Sequence, residues 1–238
     1  MTAMASPDAA CRQVPVIRLT LTFRFCRWLV WLINRVFFRA RWYCVERVPT
    51  QGGLLLVANH QSYLDSPLIG CAIRQRRLAY LARAGLFRFR PLGWLLSTFH
   101  CVPISEQGGD VAAMRTVIAL LQAGNAVLIF PEGSRTPTGA MMDFKRGVGL
   151  VLRKARCPVV PVAVEGAYRA WPRHRRLPVL FRHRIGAIYG HPIPYEDLMA
   201  GGADAALDRL QAEVAALRCQ LCSLLGMPVP EDGSSSHA

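Results

Sequence analysis

The chain has 238 residues, 52% of them apolar, and its 29 basic and 15 acidic side chains give a formal net charge of +14. This length and apolar content suffice for a buried core and exclude a disordered chain. Residues 1–185 hold 27 of the basic and 8 of the acidic side chains, whereas residues 186–238 hold 2 and 7. Such a cationic body attracts phosphate-bearing partners, and both nucleic acid and an anionic membrane surface remain open.

The eight cysteines are scattered through apolar stretches, which favours a reducing compartment over a disulfide scaffold. Cys219 and Cys222 form a CxxC, but it lies in a helix-like stretch without a second pair. A structural role is therefore expected for this pair. We predict neither a metal nor a cofactor.

Near the N-terminus, residues 14–43 are rich in aliphatic and aromatic side chains, but six arginines interrupt them. The longest uncharged run between Arg24 and Arg41 is seven residues, and a membrane span needs about 20 mostly apolar residues. The pattern favours a helix lying in the membrane plane, with its arginines reaching lipid phosphates. Its predicted membrane aromatics are Trp28, Trp31, Phe37 and Phe38. The alternative is a helix that packs on the core.

After a turn at Gly52 and Gly53, β-like and helical runs alternate, which predicts an α/β fold with a mostly parallel central sheet flanked by helices. Pro161 lies inside a predicted strand and indicates a strand end or an edge strand. The predicted strands are residues 54–58, 78–81, 101–104, 126–130, 159–164 and 185–189, and the main helices are 91–98, 110–122, 147–156 and 203–225. The predicted organisation is a helical anchor (1–48), one domain (49–228) and a flexible tail (229–238).

A first polar cluster follows the strand at 54–58, and it contains His60 and, five residues later, Asp65. Ligands of open α/β sheets usually bind beyond the carboxyl ends of the strands. A carboxylate beside an imidazole fixes its tautomer and lets the other ring nitrogen accept a proton from a hydroxyl. The alternative is that Asp65 caps the next helix and His60 closes a turn.

A second polar cluster follows the strand at 126–130. Gly133 would allow backbone amides to approach an oxyanion, and Arg135 can bind phosphate through two parallel hydrogen bonds. Lys145 and Arg146 precede a predicted helix start, where an anion is also favoured. We expect these three cations to converge on one phosphate, although a solvated charge run is the alternative.

The two clusters resemble the signatures of the glycerolipid acyltransferases. The run NHQSYLD at 59–65 is similar to the family's His-x4-Asp motif, FPEGSR at 130–135 to its second block, and VPVA at 160–163 to its late apolar block. The resemblance implies transfer of a fatty acyl chain from acyl-CoA or acyl carrier protein to the hydroxyl of a lysophospholipid. The best-known family reaction makes phosphatidic acid from 1-acylglycerol 3-phosphate.

The same resemblance assigns roles to particular residues. His60 would be the general base and Asp65 would orient it, with no covalent intermediate on Ser134. The substrate-binding residues implied or predicted are Glu132, Gly133, Ser134, Arg135, Lys145 and Arg146. One departure is Glu106, which stands where the family often has a phosphate-binding arginine. This departure leaves another lysolipid acceptor open.

The expected partners are the acyl donor, a lysophospholipid and an anionic membrane surface. No nucleic acid is expected, because the chain has no RNA-recognition or zinc-finger signature. The alternative from a different class is a basic module that binds a membrane or a nucleic acid and has no catalytic activity. The expected location is the cytoplasmic face of the cell membrane, as a peripheral or monotopic protein.

Overall fold

A computed structural model of the chain describes residues 20–104 and 109–229. Seven strands of the described residues form one sheet in the order β1-β7-β6-β2-β5-β3-β4. The strands are β1 Arg41–Tyr43, β2 Leu54–Ala58, β3 Leu78–Arg83, β4 Cys101–Ile104, β5 Ala126–Ile129, β6 Val159–Glu165 and β7 Gly186–Tyr189. The helices are α1 Leu21–Phe37, α2 Asp65–Ala72, α3 Arg90–Thr98, α4 Gly109–Gln122, α5 Val148–Ala155, α6 Ala167–Ala170, α7 Tyr195–Met199 and α8 Gly202–Leu225, with 3-10 helices at Val45–Arg47 and Ala84–Arg88.

The sheet is mostly parallel, as the alternation of elements predicts. Every neighbouring pair of strands runs parallel except β6 and β7, which are antiparallel. The carboxyl ends of β2, β5 and β6 therefore meet at one edge, called here the carboxyl edge. Both polar clusters follow these strands, so both lie at this edge.

The central strand β2 is buried on both faces because helices cover the sheet on both sides. Leu55 and Val57 point into a core built with α4, α5 and α8. Leu54, Leu56 and Ala58 point into a second core, which includes side chains of α2 and α6. Residues 54–58 are therefore all apolar, instead of alternating between apolar and polar side chains.

The prediction that Pro161 marks a strand end or an edge strand is wrong. β6 lies between β2 and β7 in the interior of the sheet, and Pro161 is in its middle. Its carbonyl accepts a hydrogen bond from Gly190 N–H at 2.8 Å, and the next contact on that side is the bridge between Val159 and Ile193. The regular pairing of β6 with β7 begins only at Val162, so Pro161 lies just outside that ladder, where its missing N–H is tolerated.

Helix α1 has one face docked on the protein and one apolar face in solvent. Phe23 and Cys26 are buried, and Arg27 donates to the Cys71 carbonyl at the end of α2 at 2.9 Å. The exposed apolar side chains recur at helical spacing: Leu21, Phe25, Trp28, Leu29, Ile33 and Val36. None of the helices in the described residues is both long enough and apolar enough to cross a membrane.

Some predicted membrane contacts of this segment need correction. Phe38 is buried in the second core, and Trp31 stacks on Trp42 with ring centroids 5.9 Å apart. Arg27 binds the Cys71 carbonyl instead of extending outward, since a buried helix end requires a donor. Trp28 is the one residue of the four predicted aromatics that is exposed on the apolar face.

The segment predicted as a helical anchor also supplies a strand. β1 lies within residues 1–48 and pairs with β7 in parallel, with Arg41 opposite Gly186. The sheet therefore begins before residue 49. The tail at 230–238 lies outside the described residues, and the division of the chain into three parts stays a prediction.

Candidate active site

His60 and Asp65 are in contact at the carboxyl edge, just beyond the end of β2. His60 Nδ1 lies 2.8 Å from Asp65 Oδ2, and the carboxylate is fully buried while the imidazole is partly exposed. This contact assigns the ring proton to Nδ1, which donates to the carboxylate. Nε2 is then left with its lone pair, as a general base requires.

The loop between these residues is shaped by the same carboxylate. Asp65 Oδ2 also accepts hydrogen bonds from Gln61 N–H at 2.6 Å and Ser62 N–H at 2.7 Å. These amides precede helix α2, so Asp65 closes the loop behind it and does not cap the helix. Five residues on one continuous helix would separate the two side chains by about 140°, whereas this tight turn brings them together.

Two further contacts fix the imidazole of His60 and its backbone. The ring stacks on Phe130 at the end of β5, with centroids 3.9 Å apart. His60 N–H donates to Glu132 Oε1 at 2.8 Å, and the His60 carbonyl accepts from Thr136 N–H at 2.9 Å. The two polar clusters are therefore joined directly.

Glu132 is buried and serves the backbone of this site. Only 4% of the residue is exposed, and its second oxygen accepts from Met142 N–H at 3.2 Å. Burial raises the pKa of the Glu132 carboxyl from its ordinary value of 4.5 to about 7, against the opposing effect of its two backbone donors. Its oxygens thus hold the loops that carry His60 and Met142.

Gly133 provides room for a lysine side chain. Its φ of +73° is the left-handed conformation that glycine adopts readily, and a Cβ there would lie 2.5 Å from Lys145 Cε and Nζ. Lys145 N–H also donates to the Pro131 carbonyl at 2.9 Å. The lysine is therefore seated against the second polar cluster.

Arg135 lies over the ring of Tyr63, with its guanidinium carbon 3.5 Å from the ring centroid. Its Nη1 is buried and has no hydrogen-bond partner in the described part of the chain. Tyr63 in turn packs edge-on against Trp171, with centroids 5.5 Å apart. Arg135 thus belongs to the same edge as His60 and retains an unused donor.

The remaining predicted residues are less constrained. Ser134 and Arg146 are exposed, and Arg146 lies shortly before α5. Glu106, which stands where the family often has a phosphate-binding arginine, lies outside the described residues.

A buried polar network behind the loop of His60 was missed by the sequence reasoning. The Asn59 amide exchanges two hydrogen bonds with the backbone of Val164, at 2.9 and 2.8 Å, and so extends the pairing of β2 with β6. Gln61 Nε2 donates to Glu165 Oε2 at 3.1 Å, and Arg218 Nε donates to the same oxygen at 2.6 Å. Arg218 is on α8, so the C-terminal helix is tied to the residue that follows His60.

Comparisons with known proteins agree on one class. A family model described as Acyltransferase matches residues 39–165, more than half of the chain. The fold resembles the crystal structure of the 1-acyl-sn-glycerophosphate acyltransferase PlsC from Thermotoga maritima, with a TM-score of 0.62, 23% identity, and coverage of 83% of this chain and 79% of that one. An α/β acyltransferase is the class that this fold and site define.

Named relatives point the same way. A 1-acyl-sn-glycerol-3-phosphate acyltransferase of Bacillus subtilis is 27% identical over 144 residues, covering 60% of this chain and 71% of that protein. The human alpha form is 28% identical over 174 residues, covering 68% and 58%, and a chloroplastic form of Arabidopsis thaliana is 30% identical over 118 residues, covering 49% and 33%. The chain belongs to the Acyltransferase family and is an acyltransferase.

Proposed function

We propose that this chain transfers a fatty acyl group from acyl-CoA or acyl carrier protein to the free hydroxyl of 1-acylglycerol 3-phosphate. The observation that carries the proposal is the contact of His60 Nδ1 with Asp65 Oδ2 at 2.8 Å, at the same sheet edge as Arg135 and Lys145. The names of the relatives in Bacillus subtilis and human support this acceptor.

His60 is the general base of the proposed reaction. Its Nε2 accepts the proton of the acceptor hydroxyl, while Asp65 holds the opposite side of the ring and stabilises the imidazolium that forms. The hydroxyl oxygen bonds to the carbonyl carbon of the thioester, and the carbon–sulfur bond breaks. The departing sulfur takes the proton from His60 and leaves as a thiol, so no covalent intermediate on Ser134 is needed.

The acceptor phosphate is proposed to bind the cations of the second cluster. Arg135 has a buried Nη1 with no partner in the described residues, and a guanidinium can give a phosphate two parallel hydrogen bonds. Lys145 and Arg146 follow on the same edge and add charge. Gly133 and Glu132 shape this site through the backbone, by admitting the lysine and by fixing the loop of His60.

The proposed place of work is a membrane surface. The exposed apolar face of α1, from Leu21 to Val36, suits a helix in the membrane plane, while Arg24 and Arg35 remain exposed to reach lipid phosphates. The seven cysteines in the described residues are free thiols, which supports the cytoplasmic face. The anionic surface of that leaflet would attract the positively charged body of the protein.

The test is an acylation assay with the purified full chain. Labelled acyl-CoA or acyl carrier protein is offered with 1-acylglycerol 3-phosphate and with lysophospholipids that carry choline, ethanolamine or glycerol headgroups. We expect phosphatidic acid as the fastest product. Arg135→Gln should raise the KM for the acceptor by about tenfold or more, the worth of a hydrogen bond to a charged group, with little change in the KM for the donor.

The control is Arg153→Gln, on the exposed surface of α5, which should leave both KM values unchanged. Faster acylation of a different lysophospholipid would overturn the proposed acceptor. Absence of acyl transfer to every lysophospholipid would overturn the proposed function.

A further inference from the structure

The connection between α6 and β7, called here the return loop and comprising residues 171–185, is strongly basic. It contains five arginines, two histidines and no acidic residue. All five arginines are exposed: Arg173, Arg175, Arg176, Arg182 and Arg184. None of the ion pairs within residues 20–104 and 109–229 involves these arginines, so the return loop presents a concentrated positive charge.

The tip of the return loop is apolar and faces solvent. Leu177 is 77% exposed and Phe181 is 55% exposed, and Leu180 between them is also exposed. The backbone beneath this tip is fixed: Val179 N–H donates to the Ala170 carbonyl at 2.8 Å, and Phe181 N–H donates to the Phe37 carbonyl at 2.7 Å. Large apolar side chains are thus held outward on an ordered loop, which is the usual mark of an interaction surface.

The return loop lies between the surroundings of His60 and the end of helix α1. It begins and ends at the carboxyl edge, because Glu165 at the end of β6 pairs with Gly186 at the start of β7. Its Trp171 carbonyl accepts from Ser62 Oγ at 2.8 Å, next to His60. At the other end, the ring of Phe181 lies 5.0 Å from that of Phe37, at the end of α1. The loop therefore continues the apolar face of α1 toward the site.

We propose that the return loop is a second membrane-docking surface, whose occupant is a bilayer that contains anionic lipid. Leu177, Leu180 and Phe181 enter the boundary between headgroups and acyl chains, and the surrounding arginines bind lipid phosphates. Docking through both α1 and this loop turns the carboxyl edge toward the bilayer. This inference rests on the proposed function, because a membrane lipid is the acceptor.

A bilayer fits these side chains better than a nucleic acid does. The charge alone would serve either partner. The exposed leucines and phenylalanine at the tip have no use against a phosphate backbone, but each gains free energy when it leaves water for the lipid boundary. The apolar tip therefore favours a bilayer over a nucleic acid as the partner.

The test is flotation of the full-length protein with vesicles of phosphatidylcholine, with and without phosphatidylglycerol, at about 0.1 M salt. Arg175→Gln/Arg176→Gln should weaken binding to the anionic vesicles by about fivefold for each arginine, roughly 25-fold together. Leu177→Ser/Phe181→Ser should weaken it by at least about tenfold. Leu177→Met/Phe181→Leu keeps the tip apolar and should bind like the unmodified protein.

The charge-matched control is Arg153→Gln/Lys154→Gln on α5, away from the carboxyl edge, which should bind as tightly as the unmodified protein. Circular dichroism checks that each variant is folded. Unchanged binding of the loop variants, or an equal loss in the control, would overturn the inference. Strong binding to duplex DNA at the same salt without binding to vesicles would also overturn it. This experiment measures the binding of the protein to vesicles and not its turnover. Its result therefore does not depend on whether the proposed acyl transfer takes place.

Discussion

At the scale of single residues, the site is organised around the position of one imidazole. His60 is held by the carboxylate of Asp65, by the ring of Phe130 and by backbone hydrogen bonds to Glu132 and Thr136. If His60 is the general base, as proposed, holding it in place before the substrate binds removes part of the entropic cost of reaching the transition state.

The carboxyl of Glu132 links stability to pH. Its pKa is raised from 4.5 to about 7 in the folded protein by burial. As pH rises from 4.5 to 7, the unfolded chain loses this proton while the folded protein retains it, so the free energy of unfolding falls. The shift corresponds to roughly 3 kcal/mol across that window, with no further loss from this group at higher pH.

Glu132→Gln should remove this part of the pH dependence, because the amide does not titrate. The measurement is urea unfolding of both proteins from pH 4.5 to 8. We expect the free energy of unfolding to fall with pH more steeply in the unmodified protein than in the variant. Parallel pH profiles would contradict the assignment.

The sequence predicted the contact between His60 and Asp65 better than it predicted their surroundings. His60 and Asp65 stand in a short local pattern, and their contact needs only a turn. Tyr63 beneath Arg135 carries no comparable signal, because an aromatic residue in a loop fits many environments. The pairing of Gln61 with Glu165 joins residues 104 positions apart, and only the finished sheet brings them together.

At the scale of elements, the strands were predicted almost completely, while one helix holds an unexpected role. Apolar runs such as 54–58 define buried strands by composition alone, and β2 has the predicted bounds. β1 was not predicted, because it does not form a continuous apolar run. It has only three residues, of which one is exposed and two are partly buried. α8 was predicted only as a helix at 203–225, without a contact to the site, yet its Arg218 is buried and joined to the carboxyl edge.

Arg218→Met should destabilise the protein strongly. The ion pair with Glu165 is almost fully buried, and removal of one partner leaves an uncompensated charge, at a cost of about 3–5 kcal/mol. Arg209→Met on the exposed side of the same helix is the control: it removes one exposed hydrogen bond to the Asp197 carbonyl at 3.1 Å and should change the free energy of unfolding by no more than about 1 kcal/mol. Urea unfolding measures both.

The double variant Arg218→Met/Glu165→Gln should recover part of the loss, because no charge is then left without its partner. If Arg218→Met were as stable as Arg209→Met, the ion pair would not tie α8 to the site.

At the scale of the whole molecule, the charges behind the net value of +14 are unevenly distributed over the surface. The arginines of the return loop and the cations of the second polar cluster lie at the carboxyl edge, and the apolar face of α1 leads toward the same edge. Five acidic residues of the C-terminal part are exposed on the last two helices: Glu196 and Asp197 on α7, and Asp204, Asp208 and Glu213 on α8. In the proposed arrangement, charge and apolar surface together turn the site toward a lipid surface, a choice that composition alone leaves undecided.

The most direct test of the account is the turnover number of His60→Ala in the acylation of 1-acylglycerol 3-phosphate. Loss of the general base should lower turnover by roughly 10²–10⁴-fold, with circular dichroism and the urea midpoint close to those of the unmodified protein, since the imidazole is partly exposed. A folded His60→Ala protein that retains near-normal turnover would contradict the mechanism.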